Sequence, residues 1–187
     1  MSPNHVVQAV TVRQVSASEA AADAATNVLA QALAEVLMDC VAGGASVSFM
    51  QPLSQARALA FWQGVLAGVV RGERVLLVAE EGPGKVVGTV QLITAQPENQ
   101  PHRADVAKML VHRKARRRGV AQQLMAAIDA AANAKGKTVL VLDTETGGDA
   151  ERLYQRAGWQ RVGDVPNYAL MPDGAPCSTT FYFKSLA

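Results

Sequence analysis

Three consecutive arginines, Arg116, Arg117 and Arg118, run into Gly119, Val120 and Ala121, and no other segment of this 187-residue chain points so directly to a chemistry. Gly119 and Ala121 carry little or no side chain, so a diphosphate can approach their backbone closely while the guanidinium groups supply charge around it. Val120, Leu124, Ile128 and Ala132 then recur every fourth residue, which predicts an amphipathic helix over 120–134 with one face on a sheet. The free N–H groups at the start of such a helix point outward together and carry the positive end of its dipole, which makes a phosphate site. A basic run can also be a solvated loop or a nucleic-acid patch. This one lies between a predicted strand and a predicted helix and has glycine at its end, which favours phosphate.

The elements that must position this loop can be read from periodicity. Residues 9–15 alternate apolar and polar side chains as a strand does, and the alanine-rich residues 18–41 read as one helix with Ser18 as its N-cap. A second helix is expected over 54–71, with Leu59, Trp62, Leu66 and Val69 at helical spacing. The connector from Gly43 to Met50 is flexible at its start and apolar further on. It reads either as a lid over a small ligand or as a helix connection that tucks Phe49 into the core. Two β-branched runs, 75–79 and 86–94, flank Glu81-Gly82-Pro83-Gly84 and predict a hairpin. A strand over 104–111, the helix at 120–134, a strand over 138–143, a helix over 149–157 and strands over 159–165 and 179–184 complete the chain. Hairpins followed by a βαβ unit predict an α/β protein of mixed α+β character, a central mixed sheet flanked by helices. One domain over residues 1–187 is expected, its first few residues free to be flexible.

Composition narrows the function classes. Apolar residues make up 49% and aromatics 5%, so Ala, Val and Leu must build the core. The 18 basic and 16 acidic side chains give a net charge of +2, which supplies no global reason to expect nucleic acid or membrane as a partner. Cys40 and Cys177 lie far apart in no CxxC or Cys/His pattern, so neither a disulfide nor zinc is expected, and this usage fits a reducing cytoplasm. His5 and His102 have no suitably spaced ligand partners, so no metal is expected. Residues 1–12 lack the basic start and apolar run of a secretion signal, and no uncharged apolar stretch of about 18 residues appears; a soluble, cytoplasmic protein is expected. Gly136-Lys137-Thr138 has the ending of a nucleotide loop, but the earlier glycine position holds Ala131 and a strand follows. Neither GxSxG nor GxGxxG is present.

The segment Arg116-x-x-Gly119-x-Ala121 resembles the acetyl-CoA loop of the GNAT superfamily of N-acetyltransferases, Arg/Gln-x-x-Gly-x-Gly/Ala. Ala150-Glu151-Arg152-Leu153-Tyr154-Gln155-Arg156-Ala157-Gly158-Trp159 looks like that family's later helix, one helix and one strand downstream. Many relatives have proline where Arg113 stands, a position that turns the chain. The resemblance implies the acyl-CoA N-acyltransferase fold, acetyl-CoA as cosubstrate and, by analogy, a possible homodimer. It implies that the backbone of Met109, Leu110 and Val111 pairs with the pantetheine arm, and that the amides of Arg116, Arg117, Arg118, Gly119, Val120 and Ala121 take the pyrophosphate. Beyond about Leu33, Gly43-Gly44-Ala45-Ser46-Val47, Leu142-Asp143-Thr144-Glu145, Pro172-Asp173-Gly174 and Tyr182-Phe183-Lys184 look like the tabtoxin-resistance acetyltransferases. Those enzymes acetylate the amine of a β-lactam-containing toxin amino acid, which makes a toxin- or antibiotic-like amine one acceptor to consider.

In the chemistry so implied, an alkylamine of pKa about 10.4 must lose a proton before it attacks, and the departing thiolate benefits from gaining one. The family motif places Tyr154 beside the thioester sulfur as the donor; a packed surface tyrosine is the bland alternative. Asp105, at the start of the strand before the loop, and Asp143, at the end of the next, are the candidate bases and acceptor ligands. Glu145 is in reserve, and Phe49 is a candidate contact to the acceptor. Strand-end carboxylates also serve as solvated or helix-capping groups. His112 reads as a phosphate neighbour or an exposed residue rather than a base, and an N–H near Leu110 is the implied oxyanion donor. Two other classes stay open: a non-catalytic acyl-CoA-binding sensor or scaffold, and a nucleic-acid-binding protein.

Overall fold

The computed structural model describes residues 9–186. In chain order the elements are β1 (Thr11–Gln14), α1 (Ala17–Thr26), α2 (Val28–Ala42), α3 (Gln55–Val70), β2 (Arg74–Glu80), β3 (Val86–Ile93), β4 (Arg103–Val111), α4 (Val120–Ala134), β5 (Val139–Glu145), α5 (Asp149–Arg156), β6 (Gln160–Leu170) and β7 (Pro176–Ser185). The strands form one seven-stranded sheet in the order β1-β2-β3-β4-β5-β7-β6. The β4–β5 pair is parallel and the other ladders are antiparallel.

Helices cover both faces of the sheet, which explains the unbroken apolar run of β2. Leu76 and Val78 pack with α1, α2 and α3, while Val75, Leu77 and Ala79 pack under α4. A strand buried on both faces reads as continuous apolar residues and not as an alternation. Val120, Leu124, Ile128 and Ala132 are all buried, as their spacing predicts.

The expected single helix over 18–41 is two helices bent by 88°. Asn27 stands at the break with φ 56° and ψ 18°, a left-handed conformation that asparagine tolerates better than most residues. Asp23 of α1 crosses the bend, and its carboxylate accepts the N–H groups of Leu29 at 2.7 Å and Ala30 at 3.0 Å, satisfying the open start of α2. A continuous alanine-rich pattern conceals such a break. The cap of α1 is Ser16, whose Oγ accepts the Glu19 N–H at 3.1 Å, and Ser18 lies within the first turn. The last two strands are longer than predicted: β6 and β7 form a hairpin, and β7 inserts between β5 and β6.

Candidate active site

The site begins where the sheet comes apart. β4 and β5 are paired only at Arg103–Val139, Ala104–Leu140 and Asp105–Val141, and beyond these positions they diverge. Against β3, Gln91 pairs with Ala107 and Thr89 with Leu110, so β4 holds one extra residue between them. Lys108 sits in this bulge with φ 52°. The divergence leaves the β5-facing backbone edge of β4 unpaired from Val106 onward, a surface along which an extended amide-bearing chain can form strand-like hydrogen bonds. A cavity of about 540 Å³ occupies the opening.

The basic loop after β4 closes one end. A 3-10 turn at Arg113–Ala115 follows β4 and Arg116 is extended; Arg117 (φ 61°) and Gly119 (φ 75°) then take left-handed conformations. These reversals bring α4 to the cavity mouth with no side-chain cap on its first N–H groups. Gly88 on β3 permits the close approach, since a Cβ there would stand 3.0 Å from the Leu110 carbonyl oxygen and 3.2 Å from Val120 and Leu124.

Met109, Leu110, Val111, Arg116 and Ala121 border the cavity. Val120 is buried in the core, and Arg117 is exposed. Arg118 reaches back to the β2–β3 turn, where it pairs with Glu81 at 2.6 Å. Hydrogen bonds from Lys85 and then Arg118 hold the Glu81 carboxyl below its usual range. The three arginines therefore serve different ends, and Arg116 is the one at the cavity wall, its Nε donating to the Val111 carbonyl at 3.3 Å.

Arg113, which stands where many members of the resembled family have proline, does more than turn the chain. Its N–H donates to Asp39 at 2.8 Å and its Nε donates to the same carboxylate at 3.0 Å, fastening the loop to α2. A proline could make neither bond. Burial pushes the Asp39 carboxyl up, but the bonds from Arg113 outweigh it and hold the group below its usual value. His112 is half-buried in the same cluster: its Nδ1 accepts the Lys114 N–H at 3.2 Å and its Nε2 lies 3.6 Å from Asp39.

Tyr154 enters from α5. Its ring packs against Trp159 and Tyr182 at centroid distances of 6.1 and 6.0 Å, and the residue borders the cavity. Burial, with Asp143 adding to it, pushes the phenol far above its ordinary value, so the proton is held at neutral pH. Asp143 and Glu145, two apart on β5, both border the cavity. Burial pushes the Glu145 carboxyl up.

The structure separates two candidates from this group. Asp105 is absent from the cavity wall; Arg103 pairs with it, and Gln96 Nε2 donates to it at 3.0 Å. Its place on the paired part of β4, before the strands diverge, keeps it from the opening. Phe49 packs edge-on against Phe61 at 5.2 Å in the helical core, and it is the first part of its connector, Gly43 to Ser48, that borders the cavity. Ser46 Oγ donates to the Leu170 carbonyl at 3.1 Å, tying that connector to the β6–β7 hairpin. His102 is exposed and uses its carbonyl to accept the Thr138 N–H at 2.9 Å, while His5 lies outside the described residues. Lys137, in the segment like a nucleotide loop, donates to the carbonyls of Thr94 and Pro101 and has a structural task.

Sequence reasoning missed Lys108, Cys40 and Ser48, all at the cavity. Cys40 donates to the Val111 carbonyl at 3.5 Å, and burial pushes its thiol up, so it is a packed and unreactive group. Lys108 Nζ lies 3.2 Å from Ser48 Oγ and 5.8 Å from the centre of the Phe61 ring. Only the register of β4 against β3 reveals it.

The fold, a mixed sheet that opens between two parallel strands with a bulge on one and an uncapped helix start at the mouth, is similar to that of solved acetyltransferases of the GNAT superfamily. Residues 72–161 match the family model for the acetyltransferase (GNAT) domain. Among solved structures, the chain is similar to a GCN5-related N-acetyltransferase from Kribbella flavida, at 22% identity and TM-score 0.74 over 95% of this chain and 98% of that one. It is similar to the ribosomal-protein-alanine N-acetyltransferase from Brucella melitensis, at 21% identity and TM-score 0.74 over 94% and 99% of the two chains. A GNAT superfamily phosphinothricin acetyltransferase from Sinorhizobium meliloti, solved in complex with acetyl-CoA, matches at 15% identity and TM-score 0.74 over 95% and 89%.

Proposed function

We propose that this protein is an acetyl-CoA-dependent N-acetyltransferase that acetylates a primary amine of a small molecule by direct transfer. The observation that carries this is the convergence on one cavity of the open β4 edge, the uncapped start of α4 with Arg116, and the protonated Tyr154. The residues suit the cosubstrate: Met109, Leu110 and Val111 offer backbone to a pantetheine arm, and the amides from Arg116 to Ala121, with the Arg116 charge, offer donors to a pyrophosphate. Acetyl-CoA would supply an activated acyl group.

The chain's own groups divide the remaining work. Asp143 and Glu145 attract the protonated amine to the cavity wall, and Glu145, whose carboxyl burial makes more basic than an exposed one, takes its proton directly or through water. An N–H near Leu110 stabilises the oxyanion, and Tyr154 gives its proton to the leaving sulfur. Neighbours of this fold are named for acceptors as different as a ribosomal-protein alanine and phosphinothricin, so the fold does not choose the acceptor. An amino-acid-like toxin or antibiotic, as for the tabtoxin-resistance enzymes, is the acceptor we favour. We place the enzyme in the cytoplasm, with a homodimer as its working assembly.

The test is release of CoA thiol from acetyl-CoA across a panel of amino acids, polyamines, aminoglycosides and toxin-like amino acids. Acceptor-dependent release that falls in Tyr154→Phe is expected. A protein that neither binds acetyl-CoA nor releases thiol overturns the proposal.

A further inference from the structure

The lysines of this chain differ in what holds their amines. Lys85 pairs with Glu81, Lys184 pairs with Asp129, and Lys137 is taken up by two carbonyls. Lys114 and Lys135 are exposed. Lys108 alone borders the cavity, and its amine forms no ion pair among the described residues. It lies between the Ser48 hydroxyl and the face of Phe61, with Asp143 on β5 acting on it through space. Its φ of 52° is a left-handed conformation that a non-glycine residue keeps only where the surroundings demand it. It directly precedes Met109, Leu110 and Val111, the backbone proposed to lie along the acyl-bearing arm.

We propose that Lys108 is an acceptor built into the chain: when no free amine occupies the cavity, the acetyl group passes to Lys108 Nζ. This rests on the proposed acetyl-CoA site. The neutral amine attacks the thioester carbonyl carbon, a C–N bond forms and the C–S bond breaks. Tyr154 protonates the departing sulfur. The proton lost from Nζ goes to Asp143 or Glu145 and returns through water to the tyrosinate, so the products are acetyl-lysine and CoA thiol with no other reactant. Desolvation lowers the pKa of this amine, which raises its neutral, nucleophilic fraction. The product is an uncharged amide that fills the acceptor side, so the modified chain no longer accepts an external amine.

Incubating the full chain with acetyl-CoA and no added amine, followed by tryptic digestion and mass spectrometry, tests this. Acetyl-Lys108 resists cleavage and leaves residues 104–113 as one peptide carrying one acetyl group. Held beside a bound thioester, Lys108 should be modified about tenfold faster or more than exposed Lys114 and Lys135. That advantage should fall in Tyr154→Phe and vanish in heat-denatured protein. If calorimetry on the same sample shows acetyl-CoA binding while Lys108 is unmodified, or modified no faster than Lys114, the inference is overturned and the transferase reading stands. If acetyl-CoA does not bind, both fall.

Discussion

Tyr154 and Glu145 face the same cavity with protonation equilibria pushed the same way by burial, yet their proposed tasks are opposite. For Tyr154 the shift guarantees a proton to give. Tyr154→Phe should lower turnover roughly 10²–10⁴-fold while acetyl-CoA affinity, measured by calorimetry, stays unchanged. For Glu145 the raised pKa is also a statement about stability. The unfolded chain ionises this carboxyl at lower pH than the folded one does, so above the unfolded pKa the folded state is progressively penalised, fully so above its raised folded pKa. Glu145→Gln should therefore melt at a higher temperature than the parent at neutral pH. The gap should close in acid, below the unfolded pKa, where both states are protonated. The same variant should lose the acid limb of the pH–rate profile if Glu145 is the base, and an unchanged limb would assign that role to Asp143 or water.

Elements meet the site through a few short-range devices. The bend at Asn27 lets α1 and α2 wrap one face of the sheet, and Asp23 bonds to two α2 amides across it. Asp23→Ala removes that cap and should cost about 1–2 kcal/mol in denaturant unfolding without altering acetyl-CoA affinity. Gly88 acts on the opposite face. A methyl group there meets the backbone oxygen of Leu110 at 3.0 Å, and neither β4 nor α4 can yield without disturbing the loop between them. Gly88→Ala should cost about 1–3 kcal/mol by overpacking and should weaken acetyl-CoA binding too, whereas Asp23→Ala affects stability alone. Unchanged affinity in Gly88→Ala would show that the cradle tolerates movement of α4.

Over the whole molecule, one margin of the sheet is left unfinished. β6 is an 11-residue edge strand, long and largely exposed, with Val162 at 67% and Tyr168 at 56% relative exposure and Val165 and Leu170 also open. Long exposed edges that carry apolar side chains invite pairing. Sedimentation equilibrium should give a mass near that of a dimer, and Val162→Lys should lower it. A monomer at every concentration would remove the homodimer from the proposal. Among the described residues no single helix is long and apolar enough to cross a membrane.

What the sequence determined by itself is what neighbouring residues decide among themselves. The helical repeat of Val120, Leu124, Ile128 and Ala132, the loop motif Arg116-x-x-Gly119-x-Ala121 and the helix bearing Tyr154 each lie within one segment. Hydrogen bonds between near neighbours and a single amphipathic face are enough to specify them. The mixed sheet was legible too, because hairpins and a βαβ unit leave few topologies. Tertiary structure alone decided which side chains share the cavity. Register across β3 and β4 puts the extra residue at Lys108; the point at which β5 leaves β4 admits Asp143 and excludes Asp105; and β7 pairs with the β5 segment that carries Asp143 and Glu145. Each depends on backbone pairing between residues far apart in the chain. The bend at Asn27 was hidden for a related reason: the alanine-rich pattern is the same on both sides of it, and Asp23 reaches across to cap α2 only once the chain has turned.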